Sequence, residues 1–213
     1  MSPLVNFVTP LHKKASRDYL ARMVNRKVEC MGVAKQYGFD YWDGDRSYGY
    51  GGYKYDGRWS VVAKSMIEHY QLPKNARILD VGCGKAFLLY ELKKLLPEAQ
   101  MVGFDISKHG IDDTPEPLRG NLFIHRAQDK YPFAEKEFDL VISITTLHNL
   151  NGVSIQYIYA YLSENRIIWS YTSFPISGNL SYYDTRSDSG PMIIYAQLPE
   201  VSHNVNNNLC ILA

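Results

Sequence analysis

Between Ala76 and Leu147 the chain repeats one pattern: a short apolar run, a turn, then an amphipathic or irregular stretch. The runs are "ARILDVG", "AQMVGFDIS", "NLFIHRAQD" and "FDLVISITTL". They are too short for globular helices and too continuously apolar for strands with one wet face. Strands buried on both faces read this way, and strands alternating with helices imply a mostly parallel sheet with helices on both faces. "KAFLLYELKKLL" is an amphipathic helix stopped by Pro97. Pro115 and Pro117 interrupt "KHGIDDTPEPLRG", which predicts an irregular connection or a single helical turn. The expected fold class is α/β.

The first of these strands carries the chemistry. In "ILDVGCGKAF", Asp80 ends the apolar run, and Gly82 and Gly84 follow at alternate positions before a helix. Glycines suit a backbone that turns sharply and lets a ligand approach closely. The helix start beyond Lys85 offers free N–H groups and partial positive charge. Two ligand classes use such a turn. A dinucleotide wants a glycine at the sixth position of the motif, where this chain has Phe87. S-adenosyl-L-methionine has no pyrophosphate, and its methionine ammonium suits an acidic neighbour such as Asp80. Asp105 ends the second run, where a carboxylate can accept hydrogen bonds from both ribose hydroxyls. Gln128 or the Ala127 backbone, after the third run, is placed to meet an adenine edge. Ligands of open parallel sheets bind beyond the carboxyl ends of the strands.

Asp80-Val81-Gly82-Cys83-Gly84, then Asp105, then "FDLVIS" resembles the class I S-adenosylmethionine-dependent methyltransferase family over about residues 60–150. The resemblance implies a Rossmann-like sheet, a transferase activity and S-adenosyl-L-methionine as cofactor. It implies cofactor contacts from Asp80, Gly82, Cys83 and Gly84 at the first turn, with Cys83 using its backbone. Asp105 and Ile106 would follow at the second strand, Ala127 and Gln128 at the third, and Ile144 at the fourth. Ala86 stands where the family has a third glycine. "FDYWDGDRSYGYGGYKYDGRW" ahead of this core looks like a bacterial subgroup associated with surface-polysaccharide or small-molecule modification.

His148, in "TTLHNL" beyond the fourth run, is the candidate general base for an acceptor hydroxyl; capping a helix or bonding Asp139 is the structural alternative. A carboxylate acceptor would need no base. The expected acceptor is a sugar, another small molecule or a carboxyl group. A catalytically impaired, truncated or frame-shifted methyltransferase is the alternative, and a nucleotide-binding oxidoreductase is disfavoured by Phe87.

The remaining segments frame this core. Residues 1–72 read as a helical segment with a lid. Ser16 is a candidate helix cap, Gly38 a stop, and a second helix runs from about Ser60, another candidate cap, to Tyr70. Tyr48 to Trp59, "YGYGGYKYDGRW", holds four tyrosines and four glycines. So many aromatics favour an ordered lid over a disordered linker. Residues 73–150 are the cofactor-binding core. Residues 151–213 contain no lysine and few charges, with candidate strands at Arg166–Thr172 and Met192–Leu198 and turn-rich sequence between them. The helix expected there is not evident, which predicts a shortened sheet closed by loops, a homo-oligomer, or a reading-frame change near residue 150. The net charge of +1 favours neither nucleic acid nor an anionic membrane as partner. The three cysteines form no zinc spacing, so no metal is expected. Lack of a signal-like N-terminus or a long apolar run makes the cytoplasm the expected location.

Overall fold

The computed structural model describes residues 7–8, 11, 27–134 and 136–146, together with the backbone of 167–172 and 192–197. In chain order the elements are helix α1 (Lys27–Ala34), the single turn α2 (Phe39–Trp42), α3 (Ser60–Tyr70), β1 (Arg77–Val81), α4 (Phe87–Leu95), β2 (Gln100–Asp105), α5 (Lys108–Asp112), a 3-10 turn (Glu116–Leu118), β3 (Leu122–Ile124), β4 (Leu140–Ile144), β5 (Ile167–Thr172) and β6 (Met192–Gln197). The strands form one sheet in the order β3-β2-β1-β4-β5-β6. All neighbours are parallel. The α/β, mostly parallel reading therefore holds. The fifth and sixth strands lie at the two predicted stretches, while the segments joining them lie outside the described residues.

Continuous apolar sequence makes β1 and β4 central: Ile78, Leu79, Leu140, Val141 and Ile142 are fully buried. Helix α4 covers one face with Leu88, Leu89 and Leu92, and α3 adds Val62, Ala63 and Met66 to the same cluster. Truncating one such side chain to alanine typically costs about 2–5 kcal/mol. After β3 the chain returns to pair β4 on the other side of β1. The order reverses there, so the carboxyl ends of β1 and β4 open the crevice where such sheets bind ligands.

Two local expectations are corrected. Helix α1 ends at Ala34, ahead of the stop expected at Gly38, and Tyr37 takes a left-handed φ of 49°. Tyr37 is held there because its carbonyl accepts the Ser107 hydroxyl. Ser60 is not the cap of α3 but its first residue; Trp59 precedes it without a capping side-chain bond. Ser16 lies outside the described residues. The proline-broken segment is, as expected, one short helix and a 3-10 turn.

Candidate cofactor site

The turn after β1 is built from three alternate residues with positive φ: Gly82 at 79°, Gly84 at 56° and Ala86 at 56°. The backbone N–H groups of Gly82 and Cys83 both donate to the Phe104 carbonyl, at 2.9 and 3.1 Å, which ties the turn to β2. Space also demands glycine. A Cβ on Gly82 would stand 1.9 Å from Thr146 Oγ1, and one on Gly84 2.6 Å from the Trp42 ring. Ala86 bears its methyl group in the left-handed region, at a cost of roughly 1–2 kcal/mol. Only then does α4 begin, with no side chain capping its first N–H groups.

Asp80 and Asp105 face this turn. Asp80 is buried, 5% exposed. Burial, reinforced by the charge of Asp105, pushes its pKa up to about 8. Asp105 uses both oxygens: one accepts the Gly84 N–H at 2.9 Å, the other the Ser107 N–H at 2.7 Å. Burial raises its pKa against those backbone bonds. Burial, then the two carboxylates, drives the Cys83 thiol well up, which makes it a poor nucleophile and leaves its backbone as the useful part.

The tyrosine- and glycine-rich segment packs directly on this turn. The backbone of Tyr50 bonds the Tyr41 carbonyl at 2.8 Å, and Gly52 and Tyr53 both donate to Trp42, at 3.0 Å. Trp42 stacks on Tyr50 with centroids 5.1 Å apart and planes 2° from parallel. Its indole N–H donates to Ser107 Oγ at 2.8 Å. Tyr53 lies over Phe87 at 5.0 Å. Phe87, which breaks the dinucleotide motif, is thus the floor on which this segment rests. Tyr55 extends the contact to Glu91 and Lys94 of α4. The Tyr50 hydroxyl is bonded to Tyr41 and Thr145, and burial keeps its phenol neutral. Thr145, just past β4, has φ of 54°, a strained conformation for a β-branched residue.

Lys85 directly follows the glycine pair. Its side chain is wholly buried and pairs with Asp43 at 2.8 Å and Asp113 at 2.7 Å. His109 Nε2 lies 2.7 Å from the same Asp43 carboxylate. Asp43, His109 and Asp113 would suit a metal ion by spacing, but the Lys85 ammonium already serves as their cation. The one sequence clue was a lysine set in an otherwise apolar run.

The other expected residues lie along the carboxyl edge. Ile106 is 48% exposed, and Ile124, which the sequence did not single out, is 53% exposed. The register sets Asp105 beside Ile124, so the two isoleucines flank the ends of β2 and β3. Ala127 is buried nearby. The Gln128 carbonyl, with the amide suitably turned, accepts from Arg126 Nε at 3.0 Å. Ile144 is half-buried at the rim of the core. Asp139 accepts the Arg77 N–H at 2.9 Å and so serves the sheet. His148 lies outside the described residues.

Residues 72–166 match the family model described as "Methyltransferase domain". A malonyl-[acyl-carrier protein] O-methyltransferase of Legionella pneumophila is 35% identical over 92 residues, covering 41% of this chain and 32% of that protein. One from Ilyobacter polytropus is 25% identical over 187 residues, covering 79% and 67%. The chain thus spans between about a third and two thirds of the length of these relatives. Among solved structures, an amino pentose methyltransferase from Micromonospora echinaspora is 21% identical, with a TM-score of 0.42 over 49% of this chain and 44% of that one. The family resemblance read from Asp80, Gly82, Gly84 and Asp105 agrees with the matched model: residues 72–166 are similar to a methyltransferase domain.

Proposed function

We propose that this methyltransferase domain catalyses transfer of a methyl group from S-adenosylmethionine to a carboxylate oxygen of a small or carrier-bound acid. The observation that carries the cofactor assignment is Asp80. A buried carboxyl beside a glycine turn is costly to ionise, and an ammonium such as that of the methionine half would favour its charged form. The rest of the edge fits the same molecule. The carboxylate oxygens of Asp105 retain lone pairs for ribose hydroxyls, and exposed Ile106 and Ile124 offer apolar surface to adenine. The sulfonium supplies the electrophilic carbon. The chain's own residues bind and orient the two reactants and exclude water.

The carboxyl acceptor is favoured by the two relatives named as malonyl-[acyl-carrier protein] O-methyltransferases. A carboxylate attacks as an anion, so no side chain has to remove a proton. A sugar hydroxyl is the second reading, and His148 would then be its base.

Titration calorimetry with S-adenosylmethionine and with NAD tests the cofactor assignment: binding of the first alone supports it, and binding of NAD alone overturns it. Incubation with cofactor and a malonyl thioester, followed by mass spectrometry, tests the acceptor. A methyl ester supports the proposal; methyl ether formation on sugar hydroxyls instead would replace it.

A further inference from the structure

We propose that Lys85 is a positioning residue whose ammonium fastens the Trp42–Trp59 lid to the glycine turn, so that the Asp43–Lys85 pair sets both lid order and cofactor affinity. The affinity half rests on the S-adenosylmethionine reading; the lid half does not.

The geometry is specific. Lys85 leaves the glycine turn itself and reaches Asp43 with contacts of 2.9 and 2.8 Å to the two carboxylate oxygens. Asp43 directly follows Trp42, whose ring lies on Gly84. Ion pair and ring contact therefore come from neighbouring residues, and each fixes the placement of the other. The second carboxylate, Asp113, follows α5, and so ties in the segment that begins at Asp105 and Ser107. One ammonium thus joins the lid, the glycine turn and the segment after β2. Those are the three pieces of chain a ligand lying across the ends of β1 and β2 would touch.

Net stability is a poor reason for such a residue. A lysine with no exposed surface costs several kcal/mol to desolvate, and buried ion pairs replaced by apolar groups are often neutral or more stable. What a fixed ion pair does supply is a single geometry. Here that geometry decides whether the aromatic ring sits on the turn.

The test uses the full chain with Asp43→Asn, Lys85→Met and the double variant. Hydrogen exchange is followed without cofactor over 42–59, with β1 and β2 amides as internal reference. Cofactor affinity is measured by calorimetry. Each single variant is expected to speed exchange across 42–59 at least tenfold while β1 stays protected. Each should also weaken S-adenosylmethionine about tenfold or more, and the double variant should be no worse than the weaker single. A purely structural role would instead move lid and strand amides together. Asp43→Asn changes a partly exposed residue and keeps the test decisive if Lys85→Met does not fold. Unchanged lid exchange in folded Asp43→Asn overturns the proposal, as does a freed lid with unaltered affinity. If the wild-type chain does not bind S-adenosylmethionine, the cofactor reading fails while the exchange experiment still decides the fastening.

Discussion

The ring of Trp42 lies so close over Gly84 that a methyl group added to the glycine would stand 2.6 Å from Cη2. The segment around Trp42 and the glycine turn are therefore one packed unit. Gly84→Ala introduces both that overlap and a side chain at positive φ, and should cost about 2–4 kcal/mol. Trp42→Phe removes the overlapping part of the indole. In urea unfolding, the double variant should be less destabilised than the sum of the singles. Strict additivity would show that the ring does not bear on Gly84.

Ala86→Gly should stabilise the protein. Ala86 is held at φ 56°, ψ 30° as the residue before α4. Glycine adopts that conformation without the methyl strain, which outweighs its greater freedom when unfolded. A gain of about 0.5–1 kcal/mol is expected by thermal or chemical denaturation. A loss would mean that the buried methyl group contributes more through packing than it costs in strain.

Asp80→Asn should raise the stability of the cofactor-free protein while weakening cofactor binding. The sign follows from linkage. Below about pH 4 the carboxyl is protonated in both native and unfolded chains and no penalty exists. As pH climbs towards about 8, the unfolded chain ionises while the native one keeps its proton, so native stability falls through that window. The asparagine variant lacks this loss and should gain at least about 1 kcal/mol at pH 7.5. Melting curves at pH 5 and 7.5 check it; parallel pH dependence in both proteins would remove Asp80 as the source.

Cofactor binding should release a proton. An ammonium set against Asp80 favours the carboxylate, so affinity should rise with pH, by up to about tenfold per unit between pH 6 and 7.5. Calorimetry in buffers of differing ionisation enthalpy measures the release directly. Zero release in wild type would place the ammonium elsewhere.

His148→Ala distinguishes the acceptors. Turnover on a carboxylate should stay within about threefold of wild type, whereas a hydroxyl acceptor should lose about 100-fold. Loss of carboxylate methylation alone would assign His148 to acceptor binding instead.

The glycine turn was legible because its backbone demands leave a mark in residue type: Gly82 and Gly84 occupy positive φ where no side chain fits. The four core strands were legible because burial on both faces forces continuous apolar runs. The tyrosine- and glycine-rich segment was readable only as a composition. Its seat was not, since Trp42 meets Ser107 across 65 positions and nothing local announces the partner. Lys85 escaped for the same reason: Asp43 and Asp113 come from opposite sides of it in sequence, and either alone is an ordinary turn residue. Tyr37 and Thr145 take left-handed conformations that their residue types disfavour. Tertiary bonds impose those conformations, so propensity could not foretell them.

The distance along the chain between Trp42 and Ser107 has a consequence for watching the protein fold. A probe at Trp42 senses Tyr50 locally, but its indole N–H finds Ser107 only once β2 has docked beside β1. Contacts of such separation form after local ones, because a long loop must close first. With Trp59 and Trp169 replaced by phenylalanine, the emission of Trp42 would become a one-residue clock for late assembly. Stopped-flow refolding read by that emission should lag behind helix formation read by far-ultraviolet dichroism.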